Sequence, residues 1–158
     1  MMPRNMQDVL SVMNDMVRLE LALADLYQAC SEQFPEDSNF WLAIKRQEEL
    51  HAKYLRILTD LIASHPQEFS FGRPFNSKVI GIILSSVTGY TDQVRKGQLQ
   101  RQRALVIAKD IENSVLEANY GDIVTTKNLE FKKTLDLISN DTLSHRNLFA
   151  AKVAKIKP

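Results

Sequence analysis

A glutamate and a histidine three residues apart could together hold a metal ion near the middle of this chain. Glu48 and His51 belong to a strongly helical run, RQEELHA at residues 46–52. Residues at i and i+3 share a helix face, and Trp41 and Leu55 make the rest of that face apolar. Because burying these two groups unpaired is costly, they must hydrogen-bond to each other, take neutral forms or share a cation. Sharing a cation is the functional interpretation, and the other two are structural.

Long helices are the elements that would position this pair. Five glycines and five prolines in 158 residues favour long helices over a many-turned sheet protein. Apolar periodicity predicts four principal helices, over about residues 5–34, 39–64, 100–123 and 128–153. A loop and an extra helix ending at Gly97 are predicted between the second and third. The β-branched residues at 79–83 could instead form a strand, but the longer apolar stripe favours a helix that acts as a crossover.

Three further ionisable residues interrupt the apolar faces of the other helices. Glu20 takes the place of an apolar residue in the first helix, and an antiparallel pairing about Pro35 puts it level with about residue 50. Glu112 and His145 lie on the apolar faces of the third and fourth principal helices. An antiparallel pairing of those two helices puts Glu112 opposite residues 138–144. Each half of the chain therefore offers a carboxylate on one helix and a histidine at a matching height on the next.

The bundle would aim five ionisable side chains at one level of its core: Glu20, Glu48, His51, Glu112 and His145. Three carboxylates there would repel one another unless they took up protons or a cation. Carboxylate oxygen with imidazole nitrogen suits iron, manganese or zinc, and the lack of thiolates argues against a structural zinc site. The alternative is a metal-free bundle in which a hydrogen-bonded polar layer specifies the register.

Composition favours one domain over residues 1–158. The formal net charge of +1, from 20 basic and 19 acidic residues, gives no reason to expect a nucleic-acid or membrane surface. Cys30 is the only cysteine in the sequence, so a disulfide or thiolate cluster cannot form within the chain. Charged residues interrupt the N-terminal apolar residues, which does not match a signal peptide. We therefore expect a cytoplasmic location.

These residues give the chain a resemblance to a known family. The relevant features are Glu20 followed seven residues later by Tyr27, the run QEELHA at 47–52, Glu112 followed eight later by Tyr120, and His145. In this pattern the chain resembles the ferritin-like di-iron carboxylate proteins, most closely the rubrerythrin-like branch without a rubredoxin domain. The resemblance implies an all-α, ferritin-like four-helix bundle with a long crossover connection containing an extra helix. It also suggests that both tyrosines contact ligating carboxylates, whereas the alternative makes them core aromatics.

The resemblance also implies a ligand set. It assigns Glu20 and Glu112 as terminal carboxylates, Glu48 as a bridge, and His51 and His145 as terminal nitrogens. Two iron ions are expected, with manganese or zinc as alternatives. The chain departs from the pattern at Thr142, where a second bridging Glu is expected three residues before His145, and Asp141 is one residue off that face. Val115 also replaces a frequent additional Glu. If the missing bridge matters, one ion or unequal occupancy is expected.

Three functions follow from the resemblance and its alternatives. A rubrerythrin-like enzyme would reduce peroxide or oxygen and, lacking a rubredoxin domain, would need an external electron donor. A non-catalytic protein would use a reduced ligand set to store, deliver or sense metal. A metal-free helical interaction module is the third alternative. A homodimer is expected only by analogy with the family.

Overall fold

The computed structural model describes residues 4–71, 77–118 and 120–156, and these residues are mostly helical. The helices are α1 (Arg4–Gln33), α2 (Ser38–Ser64), α3 (Ser77–Arg95), α4 (Arg101–Ala118), α5 (Tyr120–Ile123) and α6 (Leu129–Lys155). Two short strands are β1 (Phe69–Phe71) and β2 (Val124–Thr126), and 3-10 turns cover Pro35–Asp37 and Pro66–Glu68. The predicted all-α class is confirmed. Residues 72–75 of the predicted loop lie outside the described residues.

Local chemistry explains where the helices begin and end. The Asn128 side chain accepts a hydrogen bond from the backbone N–H of Phe131 at 3.0 Å and so caps the start of α6. After α3, Gly97 has a φ of 68° and donates its N–H to the carbonyl of Val94. Glycine tolerates this left-handed conformation without strain, so the predicted C-cap is confirmed. The β-branched residues at 79–83 lie in a helix, as the longer stripe predicted.

The helices pair in antiparallel fashion, α1 with α2 and α4 with α6. On the first pair, Glu20 approaches His51 while Tyr27 packs against Trp41 with ring centroids 5.6 Å apart. On the second pair, Glu112 lies level with His145, one residue beyond the predicted range of 138–144. In each pair, the polar residues that interrupt the two apolar faces therefore lie at the same height. This follows because the two helices run antiparallel and have the same rise per residue.

An ion cluster at one end of the molecule defines the order of the helices. Arg101, the first residue of α4, donates through Nη2 to Asp37 Oδ1 at 2.8 Å, and Lys152 Nζ near the end of α6 lies 3.1 Å from the same oxygen. Because Asp37 immediately precedes α2, helices α2 and α4 begin at the end where α6 finishes. Helix α3, which packs on α1 and α4, therefore carries the chain back along the molecule as the predicted crossover.

Asp37→Asn should remove the charge that holds this end together. Hydrogen bonds from Arg101, aided by Lys152, hold the pKa of the buried Asp37 carboxyl below its usual range. Its contribution to stability is therefore present above the usual pKa near 3.8 and is lost as pH falls through the lowered value. We expect urea denaturation at pH 7 to show a loss of about 2 kcal/mol in the free energy of unfolding.

The matched control is Asp92→Asn, which removes an exposed ion pair with Lys96. Such surface pairs contribute about 0–1 kcal/mol. Below pH 3.8 the difference between wild type and Asp37→Asn should shrink. Equal stability of the two variants at pH 7 would contradict a structural role for Asp37.

From the sequence, no strand was predicted between the principal helices, and this was wrong at residues 69–71 and 124–126. Strands β1 and β2 pair antiparallel, with Phe69 opposite Thr126 and Phe71 opposite Val124. Three-residue strands are too short to show an alternating pattern, and the partner lies more than fifty residues away, so local sequence carries no signal for the pairing.

None of the described helices is long and apolar enough to cross a membrane.

Candidate metal centre

All five predicted ligand residues meet in the core, with Glu48 at their centre. Glu20 comes from α1, Glu48 and His51 from α2, Glu112 from α4 and His145 from α6. None of these residues is more than 1% exposed. One potential ligand atom from each of Glu20, Glu48 and His51 lies within 4.8 Å of the other two, and the same holds for Glu48, Glu112 and His145. Two three-residue clusters therefore share one carboxylate.

The two oxygens of Glu48 face different histidines. Oε2 lies 3.6 Å from His51 Nδ1, and Oε1 lies 2.7 Å from His145 Nδ1. At the outer sides, His51 Nδ1 is 3.8 Å from Glu20 Oε2, and His145 Nδ1 is 3.6 Å from Glu112 Oε1. The imidazole rings are stacked, with centroids 5.8 Å apart. This arrangement is suited to a carboxylate that bridges two neighbouring positions.

The inward-facing donor atoms have the property expected of metal ligands. Within residues 4–71, 77–118 and 120–156, six of them are buried without a hydrogen-bond partner: both carboxylate oxygens of Glu20, Oε1 of Glu48, Oε2 of Glu112 and Nδ1 of both histidines. Although His145 Nδ1 and Glu48 Oε1 are close, they lack the alignment of a hydrogen bond. Leaving a buried polar atom unsatisfied costs roughly 1–3 kcal/mol. A cation would satisfy several of these atoms at once, so the donor set fits a metal.

The outer nitrogens of both histidines are held by polar side chains from the opposite helix. His51 Nε2 lies 2.9 Å from Asp141 Oδ2, and His145 Nε2 lies next to Gln47 Oε1. A carboxylate or amide oxygen can only accept, so each contact favours a proton on Nε2. In the neutral ring this leaves the lone pair on Nδ1, which is the nitrogen facing the centre. Such outer contacts orient metal-binding histidines in proteins generally.

Sequence reasoning missed the roles of Gln47 and Asp141. It placed Asp141 only as a residue one position off the face of the missing bridge, but Asp141 on the continuous helix α6 contacts His51 instead. A signal was present in the spacing, since Gln47 and Asp141 each precede a histidine by four residues. Each acceptor shares a helix with one histidine and orients the histidine of the other helix.

The pKa shifts of the buried groups indicate which of them carry protons when no cation is bound. Burial lowers the pKa of His51, but Glu20 and Glu48 outweigh it and raise the pKa to about 11. The pKa of His145 is likewise raised to about 10, because Glu112 and Glu48 outweigh burial. Burial, followed by the charge of Glu48, raises the pKa of Glu20 well above its usual range. Protons therefore offset the negative charge here, and a cation would have to displace them.

The two tyrosines differ in their contacts. Tyr27 donates its hydroxyl to Glu112 Oε1 at 2.6 Å, so the suggested contact with a carboxylate is present. Its ring packs on Trp41 and Phe149. The Tyr120 hydroxyl is buried, and no partner for it lies in the described part of the chain. Burial, followed by the charges of nearby glutamates, raises the pKa of Tyr120 well above its usual range, so this hydroxyl keeps its proton.

Thr142, where the resemblance implies a second bridging glutamate, faces the core but brings no charge. Thr142 is 2% exposed, and its hydroxyl donates to the carbonyl of Ile138 at 2.8 Å. Val115, one turn after Glu112, is also buried. The centre therefore has three carboxylates and two imidazoles, and the side of it next to Thr142 is lined by uncharged groups.

Comparison of the chain with protein-family models, curated proteins and solved structures gives no match. The functional argument therefore depends on the geometry of this centre.

Proposed function

We propose that this protein is a ferritin-like bundle that binds two metal ions between α1, α2, α4 and α6. The observation that carries the proposal is the placement of Glu48, whose two oxygens face two separate histidines. Each histidine has a further carboxylate beside it, Glu20 for His51 and Glu112 for His145. Buried donor atoms without partners support the proposal because native cores rarely leave such groups unsatisfied.

The donor set favours iron and accommodates manganese or zinc. Glu20, Glu48 and His51 would hold one ion, and Glu48, Glu112 and His145 would hold the other. Mixed oxygen and nitrogen donors suit these divalent transition metals. Two such ions carry four positive charges, whereas the three glutamates return three, so unequal occupancy of the two positions is expected.

With iron bound, we propose a rubrerythrin-like oxidoreductase that reduces peroxide or oxygen. Two bound iron(II) ions would supply the two electrons that, with two protons from solvent, reduce one hydrogen peroxide to two waters, and a separate donor would restore those electrons. The residues of the chain would hold, orient and shield the ions. Asp141 and Gln47 orient the imidazoles, Tyr27 holds Glu112, and the aromatic rings of Trp41 and Phe149 exclude water on one side.

A second candidate is metal storage, delivery or sensing without turnover. It is favoured by Thr142, which stands where the resemblance implies a second bridging carboxylate. Peroxide consumption by the iron-loaded protein with a chemical reductant separates the two functions. Turnover above that of free iron supports the oxidoreductase, and its absence in a protein that holds iron supports the second candidate.

Metal analysis of protein purified without chelator is the first test of a centre. The ratio of metal to protein should lie between one and two. A ratio near zero after incubation with iron(II), manganese(II) and zinc(II) in turn would contradict the proposal and leave the metal-free interaction module.

Removing the metal should lower the melting temperature. A cation bound only by the native state adds about 2.7 kcal/mol when its free concentration is about 100 times its dissociation constant. For a chain of this length that corresponds to roughly 5–10 °C. The shift caused by a chelator should be much smaller in His51→Ala, which has lost a donor. His65→Ala is the matched control because His65 is exposed at the end of α2, and it should respond as wild type does.

A further inference from the structure

An apolar groove lies between α3 and α4 and opens to the surface of the molecule. Its volume is about 220 Å³, and its lining includes Ile82 and Tyr90 from α3 and Ile107 and Ile111 from α4. Ile82 is 65% exposed, which leaves a large apolar side chain in water at the edge of the groove. Contiguous apolar surface of this kind marks interaction sites in soluble proteins, because its removal from water is favourable.

Two opposite charges lie at the rim of the same groove. Arg103 and Asp110 both line it, and both residues are exposed. They are seven residues apart in α4, so they lie about two turns from each other on one side of the helix. An apolar middle with a charged rim is the usual composition of a protein–protein interface.

These charges make the groove complementary to a copy of itself. A two-fold axis across the groove turns α4 antiparallel to α4 of a second copy, so Arg103 of each copy meets Asp110 of the other. The midpoint of the two residues falls next to Ile107, which lies in the groove. A different protein would not require opposite charges at equal distances from the middle of the groove, so the arrangement favours a second copy of this chain.

The apolar residues of α3 fit the same axis. The rotation that pairs the charges also turns α3 antiparallel to α3 of the second copy, and it brings Ile82 to Tyr90 of that copy. The midpoint of Ile82 and Tyr90 is Ser86, which also lines the groove. Both midpoints therefore belong to groove residues, and one axis relates the matching residues of both helices.

We propose that this face of α3 and α4 is the interface of a homodimer. Arg103 and Asp110 form two symmetric ion pairs at its rim, and the isoleucines fill its middle. The inference goes beyond the proposed metal centre and does not depend on it, because none of the residues that line the groove is one of the five donor residues.

The size of the face predicts a dimer of modest affinity. A helix of the length of α4 is about 27 Å long, and two neighbouring helices together are about 20 Å wide. Each copy therefore buries about 540 Å² and the two together about 1,100 Å², which is at the low end for specific interfaces. We expect the dimer to dissociate in the micromolar range and to predominate well above it.

Sedimentation velocity of the full chain, over micromolar to millimolar concentrations, tests for the dimer. Ile82→Glu puts a charge without a partner into the apolar middle, so it should weaken the dimer about 100-fold or more. Leu148→Glu is the matched control, because Leu148 is an apolar side chain of α6 that is 47% exposed. This control should leave the affinity of the dimer unchanged.

Charge reversal tests the two-fold arrangement itself. Arg103→Asp places acidic side chains opposite each other at both ends of the rim, and Asp110→Arg places basic ones there. Each variant should therefore bind its own copies about tenfold more weakly than wild type does, or weaker still. The variant with both substitutions restores opposite charges and should dimerise as wild type does. An equal mixture of the two single variants should form mixed dimers, which native mass spectrometry distinguishes by mass.

Several outcomes would contradict the interface. A chain that stays monomeric at every concentration would overturn the proposal. A dimer that Leu148→Glu weakens as much as Ile82→Glu does would have its interface elsewhere. If the double variant stays as weak as the single variants, Arg103 and Asp110 do not pair across a two-fold axis and the interface is wrong. If Ile82→Glu fails to fold, the charge variants still test the proposal, since both positions are exposed. None of these outcomes changes the proposal of a metal centre, which metal analysis tests separately.

Discussion

A Glu48→Gln variant is expected to lose nearly all of its bound metal, whereas Glu20→Gln and Glu112→Gln should each lose mainly one ion. The reason is that Glu48 has one oxygen facing His51 and the other facing His145. Glutamine keeps the volume but loses the charge and one oxygen. We expect affinity to fall more than about 100-fold, since changes to the outer contacts of ligands alone cost about 10–100-fold. Metal analysis after dialysis measures the ratio of bound metal to protein in each variant.

The same variant should behave differently without metal. Three buried carboxylates repel one another, and Glu48 helps to raise the pKa of Glu20. Replacing Glu48 with a neutral isostere removes that repulsion and also the attraction between Glu48 and the two protonated histidines. Because the two effects oppose each other, metal-free Glu48→Gln should unfold close to the melting temperature of metal-free wild type. A chelator should not change the melting temperature of the variant. If Glu48→Gln keeps wild-type metal content, Glu48 is not the shared ligand.

Helical periodicity was enough to predict how Glu20, Glu48, Glu112 and His145 come together. Each interrupts an apolar stripe, and an antiparallel pair of helices with short connections has nearly fixed relative heights. Glu20 was therefore matched to residue 50 and lies beside His51. For α4 and α6, the predicted level of Glu112 was wrong by one residue, which is less than a third of a helical turn.

The contacts on the outer nitrogens could not be predicted in the same way. Height follows from residue number, but the rotation of each helix about its axis depends on how all side chains pack. Asp141 was judged only by its position on α6 relative to His145, whereas its partner, His51, lies on α2. The pairing of β1 with β2 was not predicted either, because the two strands lie far apart in sequence and their contact also depends on the packing of the whole chain.

Asp141→Asn is expected to weaken one of the two metal positions by about tenfold. Asp141 Oδ2 lies 2.9 Å from His51 Nε2, so its charge makes the inward-facing nitrogen a better donor. Asparagine can still accept this hydrogen bond, so the ring orientation is retained and only the charge is lost. The expected effect lies at the lower end of the 10–100-fold range because the Asp141 side chain is 34% exposed, and water screens its charge.

Three further variants show whether orientation and charge act separately. Asp141→Leu removes the acceptor as well and should weaken the same ion more than Asp141→Asn does. Gln47→Leu removes the corresponding acceptor from His145 and should affect the other ion. Asp136→Asn, at an exposed carboxylate on the same helix, is the matched control and should change neither. If Asp141→Leu leaves the affinities for both metal ions at wild-type values, packing alone orients His51. The contact between Asp141 and His51 then has no part in metal binding.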